Sequence, residues 1–272
     1  MADHQHDKVR SRNEAFSDKV SSKISSEDAS FGNPYIAENV RWYGYDVEDL
    51  MQNASLVEVF YLMFRGELPS AADARLLETL MVALINPGPR HPATRAAMNV
   101  GVGKTETTHI LPVSTAVMGG EYLGGGSIES AMRFFRKYSK KDPEDVATSF
   151  ADALVTDASS IPGFGKYYGD TDIFSAKIVQ SLLPLSQELS ALHWGSALAS
   201  ALASVNIGWL MPGVAAAVFS DLGFHPRSGA GLFQLMSAPG LLAHGLELAN
   251  KPITAMPYVS DDNYVIDTPS KA

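Results

Sequence analysis

The chain has 272 residues, of which 46% are hydrophobic and 19% charged, and its formal net charge is -9. That composition suits one large or two small globular domains and excludes a disordered or fibrous chain. The acidic balance removes the basic footprint of a general nucleic-acid binder, and the absence of cysteine excludes disulfides, thiolate nucleophiles, cysteine-ligated zinc and iron–sulfur clusters, in keeping with a reducing, cytoplasmic compartment.

In chain order, residues 1–29 mix basic and acidic side chains without an apolar segment, which argues against a secretory signal and predicts a mobile or partly helical arm. His4 and His6 lack acidic or cysteine neighbours at ligand spacing, so no metal site is expected there. Ser55 with Glu58 forms a capping box ahead of an apolar face of Leu56, Val59, Phe60 and Met63, and Gly66 ends that helix. Ser70 with Asp73 opens a second helix, whose Leu76, Leu77, Leu80, Met81 and Leu84 recur at helical spacing until Pro87-Gly88-Pro89. Asp142 followed by Pro143, Glu144 and Asp145 opens another. With no sustained apolar/polar alternation and no Asn-Gly or Asp-Gly hairpin, the expected fold is all-α.

The stretch from Leu189 to Ser220 carries no Asp, Glu, Lys or Arg and is long enough to raise a membrane span. Gly195, Gly208, Pro212 and Gly213 interrupt it, His193 and Asn206 lie within it, and no anchoring residues flank it. Two small-residue helices buried in an all-helical core, and no membrane partner, are expected instead. Two glycine-rich points, Gly119 to Gly126 and Ile161 to Lys166, either bring backbone close to a ligand or turn the chain.

Gly103-Lys104-Thr105 is like the tail of a phosphate-binding loop, but the required earlier glycine is Met98 and no strand precedes it. Lys104 either meets an anionic ligand or sits on a helix surface. His109 borders an apolar run, as a core histidine bonded to a carbonyl or as a catalytic group. His91, in the stiff loop Pro87 to Pro92, is either functional or a polar helix-entry residue. Neither a Gly-x-Ser-x-Gly elbow nor an HExxH zinc motif is present.

The segments Trp42 to Leu50 (WYGYDVEDL), Phe64 to Pro69 (FRGELP) and Pro162 to Gly165 (PGFG) resemble, in order, the RGYDIEDL, YGELP and PGFGH elements of the citrate synthase superfamily. Ala243 to Glu247, and Lys251-Pro252 through Pro257-Tyr258-Val259, resemble its closing AHxxE and RPxxxYV segments. Gly120 to Gly125 (GEYLGG) is similar to the GDRFGG of citryl-CoA lyase and of the citrate-cleaving module of ATP-citrate lyase.

The resemblance implies an all-helical homodimer with a large domain of about residues 24–126 plus 212–272, a small domain of about 127–211 and an amino-terminal arm before them. It implies cleavage or formation of a carbon–carbon bond on an acyl-CoA, with an oxoacid as partner, the CoA thioester as substrate and no tightly bound cofactor. Where the family carries histidines, this chain has Pro87, Gly124 and Lys166. Tyr167 replaces an arginine, Asn206 an aspartate, and Ser237 the arginine that grips a carboxylate. Two accounts follow from the resemblance. In the first, the site is rebuilt: Lys166 polarises a carbonyl, His91 is the acid/base, and Asn206 and His109 assist. Gly163, Phe164, Gly165, Gly124, Gly125 and Lys104 then bind the CoA thioester, and Asp170 or Asp172 is either a base near Lys166 or a helix cap. In the second, the protein binds a CoA thioester or a partner without catalysis; a heteromeric subunit completed by another chain is a weaker third.

Overall fold

A computed structural model describes residues 20–156 and 161–265. They belong to two compact units, one reaching Leu68 and the other beginning at Pro69. The first part of the expected arm, including His4 and His6, lies outside the described residues.

The first unit opens with strands rather than a helix. β1 (Ser25–Ser30), β2 (Asn33–Trp42) and β3 (Tyr45–Asp46) form an antiparallel sheet in that order. Tyr43 and Gly44 link β2 to β3 with φ of 50° and 89°, the two positive values of a tight hairpin turn. The sequence expectation missed this sheet for a physical reason. β1 is exposed almost throughout and β2 over most of its length, so neither needs an apolar residue at every second position. An Arg41–Asp28 ion pair at 2.7 Å ties the two strands.

Asp46 then caps α1 (Val47–Asn53) by accepting from Glu48 N at 2.9 Å. α2 (Leu56–Arg65) starts on the expected Ser55–Glu58 capping box and stops at Gly66, whose φ is 76°. Its buried residues are Tyr61 and Leu62, whereas Leu56, expected on the apolar face, is 81% exposed. The Tyr43 hydroxyl donates to Met63 O at 3.2 Å, and a Cβ on Gly66 would stand 3.2 Å from the Tyr43 ring. This contact explains why WYGYDVEDL and FRGELP belong together.

The second unit is helical apart from one short ladder. Its elements are α3 (Ala71–Leu84), α4 (Pro92–Val102), α5 (Ile110–Met118), α6 (Ile128–Tyr138), α7 (Pro143–Thr156), β4 (Phe164–Gly165), α8 (Ile173–Leu182), α9 (Ala191–Ala201), β5 (Gly208–Trp209), α10 (Met211–Asp221) and α11 (Gly229–Ala249). The uncharged stretch from Leu189 to Ser220 becomes α9, β5 and α10. Every residue of α10 from Pro212 to Phe219 is buried, which is why its sequence shows no polar face. Among the described residues no helix is long and apolar enough to cross a membrane, and no acidic and histidine cluster could hold a metal.

Glycines set the close approaches. α4 lies against α11, where a Cβ on Gly101 would strike the backbone of Gly245. The turn from Phe164 reaches α10 by a meeting of Gly163, at φ 89°, with Gly213. β4 pairs with β5 there, and Leu210 N donates to Gly163 O at 3.1 Å. Phe164 anchors the turn among Phe134, Phe135 and Trp209, its ring 4.5 Å from that of Trp209.

Candidate active site

A cavity of about 220 Å³ lies in the second unit, where the end of α3, the start of α4, the glycine turn after α5, the loop before α8, the start of α10 and the middle of α11 converge. Leu84, Met118, Leu123, Phe174, Met211 and Phe233 make its apolar wall; Asn86, His91, Tyr167, Asp172 and Ser237 supply polar groups.

His91 enters through local chain logic. It is the N-cap of α4, with Pro92 at the first helical position, and its Nδ1 accepts from Ala93 N at 3.1 Å. Nε2 lies 3.2 Å from Leu123 O; since a carbonyl only accepts, Nε2 carries the proton and the ring is neutral. Burial holds the imidazole below its ordinary value of 6.5, against the opposing pull of the Leu123 carbonyl. Leu123 itself has φ of 55°, an uncommon conformation for a residue of its kind.

Asp172 caps α8. Its Oδ1 accepts from Phe174 N at 3.0 Å and Ser175 N at 3.2 Å, and its Oδ2 accepts from the Ser175 hydroxyl at 2.6 Å. Tyr167 is held protonated well into the alkaline range: burial raises its phenol most, then Tyr168, Asp172 and Tyr122, while Arg90 opposes. Tyr122, from the glycine turn after α5, is hydrogen-bonded to Tyr168, from the loop before α8. The Tyr167 and Tyr168 rings meet edge to face at 4.7 Å. Asn86 Oδ1 accepts from Gly88 N at 2.9 Å and from His244 Nε2 at 3.2 Å. The Ser237 side chain is 1% exposed and its hydroxyl is buried with no hydrogen-bond partner.

Of the residues singled out in the sequence, the structure brings Pro87, His91, Tyr167, Asp172 and Ser237 to this cavity. Lys166 is exposed and is not part of the wall, which takes its chain neighbour Tyr167. Lys104 donates its ammonium to Ala249 O at 2.7 Å and Lys251 O at 2.6 Å, which caps the carboxyl end of α11. His109 is exposed at the end of a one-turn helix before α5. Asn206, at φ 59°, is exposed and reaches Gly169 O at 3.4 Å. Phe164 is fully buried, and Gly163 and Gly165 lie against α10 and Leu210. A Cβ on Gly124 would strike Gly120 O and Met118 O, and one on Gly125 would stand 3.1 Å from Ala230 O. Asn86 is the polar cavity group that the sequence motifs do not mark; its place directly before Pro87-Gly88-Pro89, in the loop that leads to His91, is the one usable signal.

A second hollow, beside Arg136 and Asp221, has its acid already engaged. Asp221 accepts from Ala191 N at 2.6 Å and Leu192 N at 3.2 Å, capping α9 from another helix. Burial nevertheless leaves its carboxyl above the ordinary 3.8.

The second unit is mainly helical, and its cavity takes Leu123 from the glycine turn at 119–126 and Tyr167 from two residues past the turn at 162–165. The sequence matches no protein-family model and no curated protein. Among solved structures it is similar to citryl-CoA lyase from Hydrogenobacter thermophilus, at 25% identity over 93% of this chain and 96% of that one, with a TM-score of 0.75. An ATP citrate lyase mutant from Methanosaeta concilii, solved with (3S)-citryl-CoA, aligns at 18% identity over 95% of this chain and 43% of its own, with a TM-score of 0.74. Citrate synthase from Thermoplasma acidophilum, solved with carboxymethyl coenzyme A and oxaloacetate, aligns at 20% identity over 81% and 59%, with a TM-score of 0.60. The chain therefore has a citrate synthase-like fold, shared with citryl-CoA lyase, ATP citrate lyase and citrate synthase.

Proposed function

We propose that the protein forms or cleaves a carbon–carbon bond beside the thioester of an acyl-CoA, with an oxoacid or related carbonyl compound as partner. The match to citryl-CoA lyase over nearly the full length of both chains supports this most directly. On the proposed division into a large domain of about 24–126 plus 212–272 and a small domain of about 127–211, Tyr167, Asp172, Phe174 and Met211 of the cavity wall belong to the small domain and the other lining residues to the large one, which supports this reading.

In the condensing direction the Asp172 carboxylate takes a proton from the acyl α-carbon. The C–H electron pair becomes the enolate double bond, and the Tyr167 hydroxyl donates to the enolate oxygen. The enolate carbon then attacks the partner's carbonyl carbon, and the protonated Asp172 returns its proton to the new alkoxide, while His91, bonded to Leu123 O and Ala93 N, fixes the wall around them. Cleavage is the reverse. Gly124, Gly125, Gly163 and Gly165 shape the turns, and Lys104 supports α11. The protein acts as a homodimer in this reading, with the exposed Phe31, Tyr35 and Ile36 of the first unit as surface for a second copy; light scattering measures this.

Hydrogen–deuterium exchange at the acyl α-carbon, followed by proton NMR with acetyl-CoA and isobutyryl-CoA in D₂O, tests the first step without presuming direction. Asp172→Asn, which keeps the helix cap, should slow exchange by about a hundredfold or more. Lys166→Ala should leave it unchanged; a comparable loss would return the lysine to the reacting groups. The noncatalytic reading is favoured by Pro87, Gly124 and Lys166 standing at the expected histidine positions. CoA binding without exchange for any acyl-CoA would establish it.

A further inference from the structure

The cavity wall is chemically lopsided. Among the described residues no lysine or arginine lines it, and its one acid, Asp172, already accepts three hydrogen bonds. Both nitrogens of His91 are engaged. Arg90 acts on the Tyr167 phenol from an exposed position outside the wall. A carboxylate brought into this partly open space would give up part of its water, meet no lysine or arginine of the wall and lie near Asp172, so its binding is unfavourable. Ser237 has the opposite need. Its buried hydroxyl lacks any partner, an unfavourable arrangement that a ligand oxygen would relieve.

We infer that the substrate portion entering this cavity is uncharged and largely apolar, a short branched or cyclic carbonyl group held by a neutral hydrogen bond to Ser237, and not a di- or tricarboxylate. This names the substrate class for the reaction proposed above and rests on that reading only for its link to CoA. Size follows from volume. A dry apolar cavity of about 150 Å³ accommodates benzene, so about 220 Å³ admits a group of roughly nine non-hydrogen atoms.

The test uses the full chain and three probes, cyclohexanone, citrate and oxaloacetate, with saturation-transfer NMR titrations on the wild type and Ser237→Ala. Cyclohexanone should bind, and neither acid should displace it at matched concentration. Ser237→Ala should weaken the ketone by about three- to tenfold, the worth of a neutral hydrogen bond. The same variant should melt about 2–4 °C higher without ligand, because it removes an unpaired buried hydroxyl; a serine with a purely structural role would give a lower melting point. Citrate or oxaloacetate binding as tightly as the ketone, no ketone binding, or a ketone affinity unchanged by Ser237→Ala overturns the inference. A CoA titration of the same samples separates the two readings: ketone binding without CoA binding removes the proposed reaction and leaves the cavity's preference standing.

Discussion

His91 joins a helix start to the cavity wall, and its two ring nitrogens do separable things. Asparagine is among the favoured N-cap residues, so His91→Asn keeps the bond from Ala93 N while losing the one to Leu123 O. That lost bond is worth about 1 kcal/mol, whereas His91→Ala loses the cap as well and should cost about 2 kcal/mol in all. Acid changes the comparison. The imidazole is held below 6.5 by burial in the folded state, so the unfolded chain takes up its proton first. This contribution to stability is complete above 6.5 and is lost as pH falls through the folded-state value. The wild type should therefore exceed His91→Asn by about 1 kcal/mol at pH 8, and the difference should shrink as the solution is acidified from 6.5. Urea unfolding at a series of pH values, with the slope checked for constancy, reads both quantities. A gap that grows on acidification would show that the charged ring is the favoured form in the fold, and the neutral hydrogen-bond donor assigned above would be wrong.

Three further outcomes can be measured the same way. Gly163→Ala places a side chain at φ 89° and 2.8 Å from the Gly213 Cα, and should cost about 2–4 kcal/mol; a near-neutral effect would mean that the turn before Phe164 does not depend on this crossing. Lys104 combines a positive φ of 58° with its bonds to the end of α11, so Lys104→Ala should lose about 0.5–1 kcal/mol and Lys104→Gly less, through relief of the backbone. The reverse order would count against the capping role. The Asp221 carboxyl is raised above 3.8 by burial, so its share of stability is present below that value and falls as pH rises through the folded-state value. Asp221→Asn should gain on the wild type between pH 4 and 7, and a wild type that gains instead would contradict the burial argument.

Helix starts were legible in the sequence because each depends on two or three adjacent residues. Ser55 with Glu58, Ser70 with Asp73 and Asp142 with Pro143 all form the expected caps. The buried helices α9 and α10 were legible for a different reason, since a run without charge can lie only in a core or a bilayer and glycine and proline interruptions favour the first. What escaped either lacks a buried face or was decided by distant partners. The β1–β2 hairpin has no buried face to write an alternation into its sequence. The Lys104 ammonium meets carbonyls 145 and 147 residues away, so a turn resembling part of a phosphate loop proves to be the brace of another helix.

The same distinction separates the two halves of the site. Pro239 is visible inside an apolar run, and it has no N–H to continue the ladder of α11. The sequence does not say where the next N–H goes: Gly240 N donates to Ile85 O at 2.9 Å, and a Cβ on Gly240 would stand 2.6 Å from the Asn86 Cα. This contact locks the middle of α11, with Ser237 two residues before the proline, to the turn that carries Asn86 and leads to His91. The proline thus fixes one wall of the cavity against another. A substitution at Gly240 should disturb binding by moving Asn86 relative to Ser237, even though Gly240 contributes no side chain to the wall.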